Sequence, residues 1–291
     1  GELYLSYIES LKRENRVRYA GMYQISYNSF IKFNKHLDIP FIDIDTRWLK
    51  RYEQWMRSQN FAVNTIGTRL RHLRVIFNQA LDMKLITTDN YPFRAYKVSK
   101  MNQQTAKRAL SKKDIINIIN YKGKSELEIL AIDIFAFSYF TAGINFIDIA
   151  LLKDGNIIDN RVVYYRHKTK KRIIVPLQPK AIELIDKYRG GAYLFPILSA
   201  FHKTEVQIAD RLHKVLGKVN KYLKQIGKEL KLPIPLTTYV ARHSYATVLK
   251  RSGVSTSIIS ESLGHSTERI TQVYLDSFGN DQMDEAMKNL L

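Results

Sequence analysis

Cysteine is missing from all 291 residues. Its absence removes disulfides, thiolate metal ligands and cysteine nucleophiles, and is compatible with a reducing compartment. No apolar run approaches the ~20 residues that a membrane-spanning helix needs, and no signal-like segment opens the chain. Carboxylates at the spacing of a divalent-cation site are not found, which leaves a Mg²⁺-dependent nuclease without support. Internal repeats and low-complexity tracts are lacking too. Acidic residues are few: 27 Asp and Glu stand against 46 Lys and Arg, a net charge of +19. Such an excess points to a polyanionic partner, with nucleic acid first and an anionic membrane surface second. What remains is ordinary globular composition, 45% hydrophobic, in a chain long enough for two compact domains. Gly1 in place of an initiator methionine suggests a chain trimmed at its start, with room for a further domain upstream.

The pattern changes along the chain. Residues 1–92 read as helices only. Leu5, Ile8 and Leu11 open one amphipathic helix, and Tyr23, Tyr27, Phe30 and Phe33 continue helical spacing in the next. A third clear helix, NTIGTRLRHLRVIFNQALDM, has Thr65 as its expected N-cap and an apolar stripe of Leu70, Leu73, Phe77 and Leu81. Beside that stripe lies a polar one, Arg71, Arg74 and Asn78, with Arg69 nearby, which reads either as a solvated face or as a DNA-backbone contact. Residues 93–110 break the periodicity and carry Lys97, Lys100, Lys107 and Arg108, the composition of a basic interdomain linker. Ser111 with Asp114 forms a capping-box start to a second domain, 111–291. There ELEILAIDIFAFSYFTAG is apolar nearly all round, a buried helix closed near Gly143. RVVYYRHK and RIIVPL flank Thr169, Lys170 and Lys171 as a hairpin. Helices are expected at about 179–189 and 205–230 and on to Tyr274. The fold class is therefore mainly α with a small antiparallel β-sheet.

The end of the chain carries the chemistry. TTYVARHSYATVLKRSG is followed by SLGHSTERITQVYLDS, placing Arg242, His265 and Tyr274 in one short stretch. A guanidinium grips a phosphodiester bidentately, an imidazole donates to another oxygen, and a phenol supplies a nucleophile. R-H-S-x-A-T, then L-G-H-S, then Q-x-Y resembles the catalytic end of the tyrosine recombinases, the phage-integrase family. In having a small polar residue, Asn145, in TAGINFIDIALL, the chain resembles the divergent integrases of mobile elements from anaerobic gut bacteria. The resemblance implies an all-helical core-DNA-binding domain (1–92) and a mixed α+β catalytic domain, gripping opposite sides of a duplex. It further implies cleavage by Tyr274 through a 3′-phosphotyrosine, strand exchange via a Holliday junction, and religation with no cofactor, ATP or metal. Arg242 falls on the family's second arginine and His265 on its His-or-Trp position. Lys168, counted back from Val-Pro-Leu, falls on the hairpin lysine that protonates the leaving oxygen in relatives. The alternative remains that Lys168, Lys170, Lys171 and Arg172 form an undifferentiated basic tip.

Two positions depart from the pattern. In TAGINFIDIALL, Asn145 stands where the family has its first arginine, with Asp148 at the acidic position. An amide supplies no positive fork. Arg166, two residues before Lys168 and of the same strand parity, is the candidate replacement. Tyr239 stands at the usual histidine, three residues before Arg242, where a phenol can touch phosphate but shuttles protons poorly near neutrality. His243 reads as a packing residue. Candidate DNA contacts are Thr65, Arg69, Arg71, Arg74, Lys97, Lys100, Lys107, Arg108, Lys170 and Lys171. The tail 275–291 has Met283, Met287 and Leu290 at helical spacing. It is expected to dock in trans within a homotetramer on a double-stranded recombination site, joined by accessory DNA-bending proteins, in the bacterial cytoplasm at the nucleoid and away from membranes. Two other readings stay open: a type IB topoisomerase-like enzyme, and a catalytically weakened DNA-binding regulator.

Overall fold

Tyr4, Ile8 and Leu11 recur at intervals of three and four, so α1 (Glu2–Arg13) buries one stripe while Leu5, on its flank, remains exposed. The computed structural model describes residues 1–36, 38–103, 108–272 and 275, and the chain divides into one unit up to about residue 105 and another after it. In the first unit α2 (Val17–Asn34) buries Tyr23 and Phe30. Next comes α3 (Thr46–Ser58), a helix that the sequence reading did not separate. Asp45 starts it by accepting the Trp48 N–H at 2.7 Å, and Trp48, Leu49, Tyr52 and Met56 form its buried stripe. The fourth helix, α4 (Val63–Asp82), buries Ile66, Leu70, Leu73 and Phe77. Thr65 is not its cap: Ala62 takes that place with extended backbone, and its carbonyl accepts from Thr65 and Ile66. Thr65 lies inside the first turn because the helix begins earlier than the hydroxyl suggested.

The expected linker is partly built into this unit. Phe93, Tyr96, Val98 and Met101 enter its core, while Lys97 and Lys100 stay exposed. Gly67 lets the segment approach, since a Cβ there would meet the Met101 carbonyl at 2.6 Å. Asn64 then pins it by exchanging bonds of 2.7 and 2.9 Å with the Gln103 backbone.

The second unit opens as its sequence predicts. Ser111 caps α5 (Lys112–Ile119), with its hydroxyl accepting from Asp114 N and the Asp114 carboxylate accepting from Ser111 N. α6 (Glu126–Phe140) is apolar all round and sits in the core, where full burial of Phe135 and Phe137 contributes roughly 2–3 kcal/mol each. After the short α7 (Phe146–Leu151), three antiparallel strands follow in the order β1 (Ile157–Ile158), β2 (Arg161–Tyr165), β3 (Arg172–Pro176). β1 adds an edge to the expected hairpin. Val162 pairs with Val175 and Tyr164 with Ile173, so these four face the core while Tyr165, Arg172 and Ile174 face outward. α8 (Pro179–Tyr188) and α9 (Glu205–Glu229) fall where their patterns place them. α10 (Thr238–Arg251), α11 (Thr256–Ser262) and α12 (Glu268–Gln272) complete the described chain.

Candidate active site

Two tight turns set the position of Arg242. The first follows α6, where Gly143 has φ +64°; a Cβ there would come within 2.8 Å of the Arg242 Cα. Glycine is thus required both by the backbone conformation and by contact with α10. The Gly143 carbonyl accepts from Arg242 Nη1 at 2.8 Å. Leu263 O, at the end of α11, accepts from Nη2 at 2.5 Å. Arg242 is 2% exposed, held by carbonyls from two separate turns. The second turn is Leu-Gly-His: Gly264 has φ +65°, and a Cβ would meet Ile173 Cδ1 at 2.3 Å. That close approach lets β3 lie against the loop carrying His265.

His265 is buried, with Nε2 3.1 Å from Arg242 Nη2 and Nδ1 2.9 Å from the Thr271 hydroxyl. Burial, reinforced by Arg242, Arg166 and Lys171, lowers its pKa to about 4. The imidazole is accordingly neutral near pH 7.

Arg166 belongs to the same cluster. It follows β2 on the inward parity of Val162 and Tyr164, is 8% exposed, and donates from Nη1 to Gly264 O at 3.3 Å. Its Nε is buried with no hydrogen-bond partner, and among the described residues Arg166 forms no ion pair. Such burial of a cation is costly unless something anionic arrives. Tyr164 beneath it has its phenol pKa raised, by burial first and by Asp148 next, with Arg242 and Arg166 opposing. Asp148 does not pair with either guanidinium at bonding distance among the described residues; its Oδ1 accepts the His167 N–H at 2.8 Å and so fixes the start of the hairpin turn.

Lys168 departs from expectation. The turn closes with Arg166 N donating to Lys171 O and Lys170 N donating to Arg166 O, with Lys170 at φ +55°. Strand alternation ends at Arg166, so Lys168 does not share its inward face and is exposed at the turn. Lys171, expected as a DNA contact or as part of the basic hairpin tip, reaches the His265 carbonyl at 3.4 Å. Asn145 is the half-buried N-cap of α7, and its side chain makes no capping bond. Tyr239 is 40% exposed on the first turn of α10, its ring edge-on to buried His243 at 4.9 Å. Tyr274 lies outside the described residues. Leu275, immediately after it, is buried with Ala246, Ile259 and Leu263.

In the first unit Arg71, Arg74 and Thr65 are exposed. Arg69 is committed inward, donating to Ser29 Oγ at 2.7 Å with its guanidinium 4.1 Å over Phe61. Lys97, Lys100, Arg108 and Lys170 are exposed; Lys107 lies outside the described residues. Among the described residues no helix is long and apolar enough to cross a membrane. Thr271 has one signal in the sequence, its place between the L-G-H motif and Tyr274.

A helical unit that exposes Arg71 and Arg74, joined to a unit in which a hairpin and two loops bring buried guanidiniums against a neutral histidine, defines a class of basic protein with a donor set suited to an oxyanion. The comparisons narrow this class. The phage integrase SAM-like domain matches residues 2–98 and the phage integrase family matches residues 108–280. The chain belongs to the phage integrase family, enzymes of site-specific DNA recombination. A tyrosine recombinase of Pseudothermotoga lettingae is 24% identical over 291 residues, covering 99% of this chain and 96% of that one. A tyrosine recombinase of Agathobacter rectalis is 29% identical over 149 residues, 50% of this chain and 47% of the relative, so this match spans about half of that protein. The same fold occurs in the Tn1549 transposon integrase, solved in complex with a circular intermediate DNA. That structure has a TM-score of 0.69 at 15% identity, covering 99% of this chain and 98% of that chain.

Proposed function

We propose that recombination in this chain proceeds by attack of Tyr274 on a scissile phosphate held by Arg242, Arg166 and His265. The carrying observation is the burial of Arg166 beside Arg242 and His265. This supports Arg166 as the charge that replaces the family's first arginine, which Asn145 cannot supply. A phenol with an ordinary pKa near ~10 is a weak nucleophile, and cations around the phosphate stabilise the developing phenolate and the pentavalent transition state together. The P–O bond to the 5′-oxygen breaks as the bond to Tyr274 forms. Lys168, exposed on a turn that can enter a groove, protonates the leaving oxygen. Tyr239 adds a phosphate contact from α10.

Arg71, Arg74, Lys97, Lys100, Lys107, Arg108 and Lys170 hold the DNA backbone. The assembly is a homotetramer at a double-stranded site in the bacterial cytoplasm, where accessory bending proteins assist at the nucleoid. The tail after Leu275, outside the described residues, docks in trans through Met283, Met287 and Leu290. An apolar groove of about 320 Å³ lined by Tyr139, Phe140, Ile174, Tyr245, Val248 and Leu249 supports an acceptor on the catalytic unit. A nicked suicide duplex carrying the site, incubated with protein in EDTA, tests the reading. A covalent adduct is expected with wild-type protein and none with Tyr274→Phe. No adduct from wild-type protein on a verified site would leave the DNA-binding regulator as the better reading.

A further inference from the structure

Among the described residues, the two ring nitrogens of His265 face partners with different demands. A guanidinium has five N–H donors and no acceptor, so the 3.1 Å approach of Arg242 Nη2 makes His265 Nε2 the acceptor. The neutral ring then carries its proton on Nδ1, which donates to Thr271 Oγ1 at 2.9 Å. In the role proposed above the ring needs the opposite tautomer, because a phosphate oxygen only accepts and Nε2 must carry the proton. The partner of Nδ1 has to serve both states. A threonine hydroxyl can, because it accepts through its lone pairs or donates through its hydrogen by rotating about one bond. Backbone carbonyls and carboxylates could serve only the first state.

The place of Thr271 in the chain gives this bond a second consequence. Thr271 is 0% exposed on α12, three residues before Tyr274, and its carbonyl accepts the N–H of Leu275 at 3.2 Å. The imidazole is therefore tied to the chain segment that carries the nucleophile. The charged groups around the ring, Arg242, Arg166 and Lys171, favour the neutral form in either tautomer.

We propose that Thr271 is a positioning residue that holds the His265 ring in both of its tautomers. It accepts from Nδ1–H while Arg242 lies against Nε2, and donates to Nδ1 once a phosphate oxygen takes the place of Arg242 at Nε2. The change adds one proton at Nε2 and releases one from Nδ1, exchanged through solvent, so that the ring is neutral in both end states. This inference rests on the proposed phosphate contact of His265 for its second state; its first state stands without DNA.

Thr271→Val removes the hydroxyl at constant shape, and Thr271→Ser keeps it. Long-range ¹H–¹⁵N correlation spectra of the DNA-free, histidine-labelled protein read the tautomer directly. Wild type and both variants are expected to show a protonated Nδ1 on His265, since Arg242 holds Nε2 as the acceptor, with the Nδ1 proton shifted downfield and protected from exchange in wild type and Thr271→Ser but not in Thr271→Val. In single-turnover cleavage of the suicide duplex, Thr271→Val is expected to be about 10-fold slower, the worth of one hydrogen bond, at unchanged DNA affinity. Thr271→Ser should return to near the wild-type rate. An unchanged Nδ1 proton shift and exchange rate in Thr271→Val overturns the proposal, as does loss of that bond with an unchanged cleavage rate. Failure of the wild-type protein to form any adduct would count against the proposed function instead, while the spectra still judge the Thr271–His265 bond.

Discussion

Replacing Arg166 by methionine separates its role in the reaction from its role in the fold. The side chain is almost fully buried, makes one hydrogen bond at 3.3 Å, leaves Nε without a partner and has no ion pair among the described residues. In the resting protein this cation pays for desolvation with little return, so a methionine of similar volume should be neutral or stabilising by about 1 kcal/mol. In the proposed reaction it is one of the two buried guanidiniums beside His265. Loss of one such donor typically costs ~10²–10³ in rate, or ~2.7–4 kcal/mol. Arg166→Met should therefore cleave a suicide duplex at least ~100-fold more slowly with an unchanged or raised Tm. Arg166→Lys should fall between, keeping the charge but losing the planar fork. The pKa of His265 should rise in Arg166→Met, because one of the cations that lowers it is gone. Single-turnover cleavage, calorimetry and NMR titration supply the three readouts. Cleavage by Arg166→Met within a few-fold of wild type would refute the compensation, and a rate loss that merely follows unfolding would refute the energetic argument.

Gly264→Ala places a Cβ against Ile173 in a left-handed backbone, and should cost roughly 2 kcal/mol or more and lower the Tm by ~4–8 °C, checked by calorimetry. His72 is buried against Tyr23 and Ser26, and burial lowers its pKa to about 4. The unfolded chain, with an ordinary histidine pKa near ~6.5, takes up the proton first as pH falls. The contribution of neutral His72 is thus complete above pH ~6.5 and shrinks toward pH ~4, by roughly 3 kcal/mol in all. His72→Gln should flatten denaturant-measured stability across that window, and an unchanged slope would contradict the assignment. Exposed Arg71 and Arg74 should each reduce the log Kd against log salt slope by about one when changed to alanine. Arg69→Ala should instead destabilise the fold by ~1 kcal/mol through loss of its bond to Ser29 and its stacking on Phe61.

The helices were legible wherever one apolar stripe repeated cleanly, as in α4, α8 and α9, and α5 through its capping box. α3 escaped because Trp48, Tyr52 and Trp55 alternate with arginines, and its start rests on a single capping carboxylate, Asp45. Residues 93–101 read as linker because lysine content outweighed four spaced apolar residues that pack inward. At the site, R-H-S and L-G-H pointed to Arg242 and His265, and the gap at Asn145 drew attention to Arg166. Two things were not legible. The turn at 167–170 breaks strand parity, which separates Lys168 from Arg166 although the sequence spacing paired them. Lys171 and Thr271 touch His265 through contacts that depend on where the hairpin and α12 meet in space, which no local spacing encodes.

The most direct measurement is peptide mapping of the adduct trapped on a nicked suicide duplex in EDTA. A nucleotide mass is expected on the peptide containing Tyr274, linked through the 3′-phosphate of the cut strand, with the 5′-hydroxyl free. An adduct on another residue, a 5′-linkage, or cleavage that leaves no adduct and requires a divalent cation would contradict it.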